Sequence, residues 1–141
     1  HAKDRRQRQM CIRDRCKVQG ARFVGEILGQ QKAELIAGAK ALLAPTLIHE
    51  PFGLVVPEAL ISGTPVICSD RGAFRELVSP DVGFICGKLN EYIAAVERLN
   101  EISPQACREK AMRDFHYLTM AANYLKEYEK EILVTKNQSV N

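Results

Sequence analysis

Long apolar runs are missing from this 141-residue chain: none approaches the ~18–20 residues that a membrane-spanning helix needs, which excludes an integral helical membrane protein. A secretory pattern is missing too, because charges continue to Lys17 and no apolar stretch follows them. Cysteine does not occur in pairs. The five residues, at 11, 16, 68, 86 and 107, are odd in number and include no CxxC spacing. That pattern argues against a disulfide framework and against zinc, and it predicts a reducing, cytoplasmic setting. Neither Asp70-Arg71 nor Asp81-Val82 makes a metal motif, so no metal is expected. The chain also has no internal repeat, and no biased segment beyond its first 17 residues.

What is present reads as a soluble globular core, with 46% hydrophobic and 26% charged residues. The net charge of +3 is unevenly spread. Residues 1–17 carry seven Lys or Arg and two Asp, leaving thirteen basic and fifteen acidic residues from position 18 onward. The globular part is therefore slightly acidic. The basic head could neutralise nucleic-acid phosphates, but no periodic apolar face organises its arginines, and a solvated tail fits it better. Its run RRQRQMCIRDR (Arg5 to Arg15) also resembles translated adapter sequence. No specific nucleic-acid binding is expected. The domain reading is a head over 1–17, a single α/β domain over 18–135 and a polar tail over 136–141.

From Val18 the chain alternates. Four short apolar runs, Gly20–Val24, Ala41–Ala44, Pro65–Cys68 and Gly83–Cys86, read as strands that start roughly twenty residues apart. Helix-like stretches lie between them at Gln31–Ala37, Leu54–Ile61 and Ala73–Val78. Such alternation predicts a parallel sheet with right-handed crossovers. Runs that are apolar on both faces predict helices on both sides. Gly63 is placed to end Leu54–Ile61, and Pro65 prevents its continuation. After Cys86 the chain turns helical. Leu89–Leu99 carries Tyr92, Ile93, Val96 and Leu99 on one stripe. Ser103 and Pro104 read as N-cap and first residue of a helix to about Asp114. A last helix from Thr119 carries Ala121, Tyr124, Leu125, Tyr128 and Ile132 at helical spacing.

One segment points to chemistry: His49-Glu50-Pro51-Phe52-Gly53-Leu54-Val55-Val56-Pro57-Glu58-Ala59-Leu60. It follows a strand and opens a helix, the place where open parallel sheets bind ligands. Free N–H groups in a first helical turn favour an anion, and Gly53 would let a phosphate approach the backbone. Pro57 fits a first turn, where its missing N–H costs nothing. Glu50 and Glu58 flank that position, and carboxylates accept hydrogen bonds from hydroxyl groups. An anion site between two hydroxyl acceptors suits a nucleotide sugar. The alternative is a glutamate that only stabilises the helix dipole. His49 and His116 read as bland histidines, Cys68 and Cys86 as buried structural thiols, and Tyr117, Tyr124 and Tyr128 as packing residues.

Residues 18–134 resemble the second half of the C-terminal domain of GT-B retaining glycosyltransferases of family 4 (glycosyl transferases group 1). The resemblance rests on Arg22-Phe23-Val24-Gly25, Leu42-Leu43-Ala44-Pro45-Thr46 and Glu50-Pro51-Phe52-Gly53-Leu54 with Glu58-Ala59-Leu60. Gly63-Thr64-Pro65-Val66-Ile67, Gly72-Ala73-Phe74-Arg75-Glu76-Leu77-Val78 and Gly83-Phe84 complete it. Glu50 and Glu58 match the family's E-x7-E motif. The resemblance implies a partial Rossmann-like parallel sheet followed by C-terminal helices.

It also implies roles. Glu50, the catalytic candidate, would bond donor-sugar hydroxyls. The Phe52, Gly53 and Leu54 backbone would hold sugar and diphosphate, and Glu58 would hold the ribose. Gly25, Glu26 and Ile27 would lie beside the base, and the Asp70–Phe74 loop would border the cleft. The implied donor is a nucleoside diphosphate sugar, with no other cofactor, and the activity is retaining transfer of a hexose. Nothing here corresponds to the family's upstream basic pair or to its N-terminal acceptor domain. A fragment, inactive alone, is therefore expected, with its last helix partly uncovered. Peripheral membrane association of the intact enzyme is left open. A non-catalytic nucleotide-sugar-binding module is the alternative reading.

Overall fold

A computed structural model describes residues 19–138 of the chain. The basic head over 1–17, with its adapter-like run, lies outside the described residues, as does the end of the tail. The polypeptide divides into two units, 1–32 and 33–141.

In the first unit, residues 21–28 carry no regular structure, and helix α1 (Gly29–Ala37) starts near its end and runs on into the second unit. The expected strand at Gly20–Val24 does not form. A strand is defined by the ladder it joins, and the only ladders among the described residues connect later segments. The sheet therefore has three strands here, not four.

The second unit holds β1 (Leu42–Ala44), β2 (Val66–Ser69) and β3 (Gly83–Cys86), parallel and in the order β1-β2-β3. Leu43 lies opposite Ile67, and Ile67 opposite Phe84. Helix α2 (Val55–Ile61) joins β1 to β2, and α3 (Phe74–Leu77) joins β2 to β3. After β3 come α4 (Leu89–Glu97), a 3-10 turn (Leu99–Glu101), α5 (Pro104–Asp114) and α6 (Tyr117–Gln138).

Alternation along β2 sorts the core into two clusters. Val66 and Cys68 pack with Val56, Leu60, Phe74 and Val82, among others, from the α2, α3 and α5 side. Ile67 packs with Cys86 and Ala95, on the α4 side. Each fully buried aliphatic side chain contributes about 1.5–3 kcal/mol, so the central strand, buried throughout, organises the unit.

Three expectations need correction. On α4, Ala95 is the buried residue, while Ile93 and Val96 are about half exposed; only Tyr92 and Leu99 of the predicted stripe pack inward. Strand β1 is not covered on both faces, because Leu43 remains 55% exposed. Helix α6 starts at Tyr117 and continues through Gln138, so it takes in the beginning of the predicted tail.

Candidate functional site

Glu50 lies in the loop after β1, at the carboxyl end of the sheet, and is half-buried. Its surroundings are made by backbone. The Ala73 N–H donates to the Glu50 carbonyl at 3.0 Å. At Gly72 the chain comes so close that a Cβ there would lie 2.2 Å from the Glu50 oxygen and 2.5 Å from its nitrogen. Only glycine fits. The Asp70–Phe74 loop thus lies directly against Glu50.

Gly53 is the second close approach. It is buried and takes φ +86°, a left-handed conformation that L side chains resist. A Cβ there would meet Phe74 Cε1 at 2.6 Å and Glu50 Cγ at 3.4 Å. The Glu50 side chain therefore folds onto the Gly53 backbone, with the buried Phe74 ring behind both. Leu54 follows as N-cap of α2 with no side-chain cap, and its side chain points to solvent. Phe52 turns its ring elsewhere, edge-on to Phe115 at 6.1 Å.

Glu58 is half-buried in the first turn of α2, one residue after Pro57. Its N–H donates to the Leu54 carbonyl at 3.3 Å, and its carbonyl accepts from the Ser62 hydroxyl at 2.8 Å. Gly25, Glu26 and Ile27 belong to the 1–32 unit, in the irregular stretch ahead of α1. Among the predicted site residues, the fold packs Glu50 and Gly53 against each other.

A cleft of about 720 Å³ opens at the carboxyl ends of the three strands. Pro45 and Thr46 after β1, Ser69 at the end of β2 and Arg71 after it, Lys88 after β3 and Tyr92 of α4 contribute to its walls. The turn at Ser69–Arg71 leads from this cleft to Gly72 and Glu50. Asp70 accepts two bonds from the Arg75 guanidinium, which hold its carboxyl below the usual range. Sequence reasoning missed the grip of Gly72 and Ala73 on Glu50 and the support of Phe52 by Phe115. Both join residues distant in sequence, and Gly72 alone carried a local hint.

The other candidates are structural. Cys68, Cys86 and Cys107 are buried and unpaired. His49 is exposed, whereas His116 stacks on Tyr117 at 4.5 Å and accepts the Leu118 N–H at Nδ1.

Residues 3–101 match the family described as glycosyl transferases group 1. The chain belongs to that family. The match begins within the basic head. Among curated relatives, the chain is 29% identical over 120 residues to phosphatidyl-myo-inositol mannosyltransferase of Mycobacterium leprae, covering 79% of this chain and 32% of that protein. It is 34% identical over 116 residues to MMP alpha-(1->4)-mannosyltransferase of Mycolicibacterium hassiacum, covering 73% and 27%. Two solved structures share its fold. A glycosyltransferase involved in avilamycin A biosynthesis superposes with TM-score 0.68 at 29% identity, over 79% of this chain and 36% of that one. Sucrose-phosphate synthase of Thermosynechococcus elongatus gives 0.71 at 25% identity, over 93% and 35%. The chain thus spans about a third of the length of the relatives it matches. Its parallel sheet and C-terminal helices are part of a GT-B glycosyltransferase fold.

Proposed function

We propose that this family member binds the donor, a nucleoside diphosphate sugar, and that in a longer polypeptide with an acceptor domain the hexose passes to an acceptor with retention. The observation that carries the reading is the Glu50 side chain folded onto the left-handed Gly53 backbone at the carboxyl end of a parallel sheet. A carboxylate supplies acceptors for sugar hydroxyls, and the Phe52–Leu54 backbone runs beside it. The bare side of Gly53 is taken up by Phe74 and not by a ligand, contrary to the sequence expectation that a phosphate would approach there. Glu50 would accept from sugar hydroxyls, the Phe52–Leu54 backbone would face sugar and diphosphate, and Glu58 would accept from the ribose. Gly25, Glu26 and Ile27 would face the base. The acceptor hydroxyl would attack the sugar's C1 on the face that the diphosphate leaves, passing its proton to the departing diphosphate as the C1–oxygen bond breaks, which retains configuration in a single displacement. Neither a metal nor a further cofactor enters this reading. Two of the similar proteins are named mannosyltransferases, which favours a hexose donor. We place the protein in the cytoplasm on Cys68, Cys86 and Cys107, which are buried and unpaired.

Calorimetry with UDP- and GDP-linked hexoses, against UDP and GDP, tests the assignment. Glu58→Ala should weaken sugar-linked and free nucleotide alike, by about 1.5–3 kcal/mol, the worth of one hydrogen bond to a charged group. Glu50→Ala should weaken only the sugar-linked ligand. Equal losses for both ligands in both variants would refute these roles.

A further inference from the structure

We propose that Asp70 and Arg75 are a positioning pair for Glu50, stapling the turn whose Gly72–Ala73 edge grips the Glu50 peptide. The effect on ligand rests on the donor-site reading; the grip itself does not. Arg75 donates through Nε and Nη2 to both carboxylate oxygens of Asp70, a bidentate fork with defined geometry.

The two ends of this fork are anchored differently. The Asp70 N–H donates to the Cys86 carbonyl at 3.1 Å, which ties it to the end of β3. Arg75 sits on α3 between Phe74 and Leu77, both in the core. The pair therefore links a sheet-bound residue to a core-bound helix, and what lies between is Arg71, Gly72, Ala73 and Phe74. Gly72 and Ala73 are the residues that touch the Glu50 backbone. Within the turn the backbone supplies a bond from Arg71 N–H to Ser69 at 2.9 Å and a long one from Phe74 N–H to Arg71 at 3.5 Å. The side-chain fork adds a brace that spans the whole turn, from Asp70 at its start to Arg75 at its end.

The fork is exposed, with Arg75 73% accessible. Exposed ion pairs add little to global stability, so what this one supplies is geometry. Glu50 has its carbonyl fixed by Ala73 and its Cγ against Gly53. A turn free to move would carry that peptide with it, and hydrogen bonding to a ligand falls off steeply with misplacement.

The test uses the 141-residue chain with Asp70→Asn, Arg75→Gln and the double variant. Hydrogen exchange at the Ala73 amide is compared with the Val66–Cys68 amides, and UDP- and GDP-linked hexoses are titrated against UDP and GDP. Each single variant should raise Ala73 exchange roughly two- to fivefold, the range an exposed pair can impose, and leave the strand amides protected. The double variant should add little to either single one. The preference for sugar-linked over free nucleotide should fall by a similar factor, because only the Glu50 end of the site is disturbed. Unchanged Ala73 exchange in both single variants would overturn the staple. Raised exchange with an unchanged sugar preference would overturn its role in positioning Glu50. Raised exchange in a chain that binds no nucleotide sugar would uphold the grip and instead overturn the proposed function.

Discussion

Cys68 has the setting of a structural thiol: it is wholly buried at the end of β2, and burial, reinforced by Cys86 and Asp70, pushes its pKa from 9.0 up to about 12. The folded state therefore holds that proton more tightly than the unfolded chain does. The contribution is complete below about pH 9 and is lost as pH rises through the window from 9 to 12. Urea unfolding at stepped pH should show stability falling across that window, with a shallower fall in Cys68→Ala. Thiol reagents at pH 8 should leave Cys68 unmodified until the chain unfolds. At this scale the sequence already singled out Glu50, Gly53 and Glu58, because E-x7-E with an intervening glycine is a local pattern. It could not reveal that Gly53 needs its bare backbone for Phe74, since the two residues stand 21 positions apart.

The end of α2 shows how much an element can declare locally. Gly63 takes φ +81°, its N–H donates to the Leu60 carbonyl at 2.9 Å, and the Thr64 N–H donates to Ala59 at 2.9 Å. This is the paired closure of a Schellman motif. The Arg108 guanidinium covers the glycine and donates to the Ser62 carbonyl. Gly63→Ala should cost about 1–2 kcal/mol in chemical denaturation, the usual penalty of a left-handed non-glycine residue, with Arg108 swinging aside. The cap of α5 was equally legible: Ser103 accepts the Gln105 N–H at 3.2 Å, with Pro104 at the first helical position. The stripe on α4 was not. Helical spacing marks a face, but only the position of the sheet decided that Ala95 faces Ile67 and Cys86 while Ile93 and Val96 face outward.

Taken whole, the chain leaves much apolar surface open. Along α6, Tyr124, Leu125, Tyr128 and Ile132 are each more than half exposed, in line with the partly uncovered last helix that the family resemblance implied. The reading of Tyr117, Tyr124 and Tyr128 as packing residues is corrected, because no element of the described fold covers that face. No helix among the described residues is long and apolar enough to cross a membrane. A chain spanning about a third of its relatives is expected to bind donor weakly but measurably and to transfer nothing by itself. Positioning of donor against acceptor supplies a large share of the rate, and Glu50 is only half-buried, so water weakens its electrostatic contacts. Incubation with labelled UDP- and GDP-hexoses and mixed acceptors should give no multiple turnover. Reproducible turnover abolished by Glu50→Ala would show that these 141 residues suffice.

The sequence by itself determined the features that depend on near neighbours: the alternation of strands and helices, the caps at Gly63 and Ser103, and the motif that carries Glu50 and Glu58. These follow from backbone preference, periodicity and spacing, which act over a few residues. The tertiary structure decided the rest. It withheld a strand from Gly20–Val24, because an extended run becomes a strand only through a partner. It also brought Gly72 and Ala73 onto Glu50 and set Phe115 against Phe52. Those contacts join segments that meet only after the sheet has formed, and nothing in the local chemistry of either segment specifies its partner.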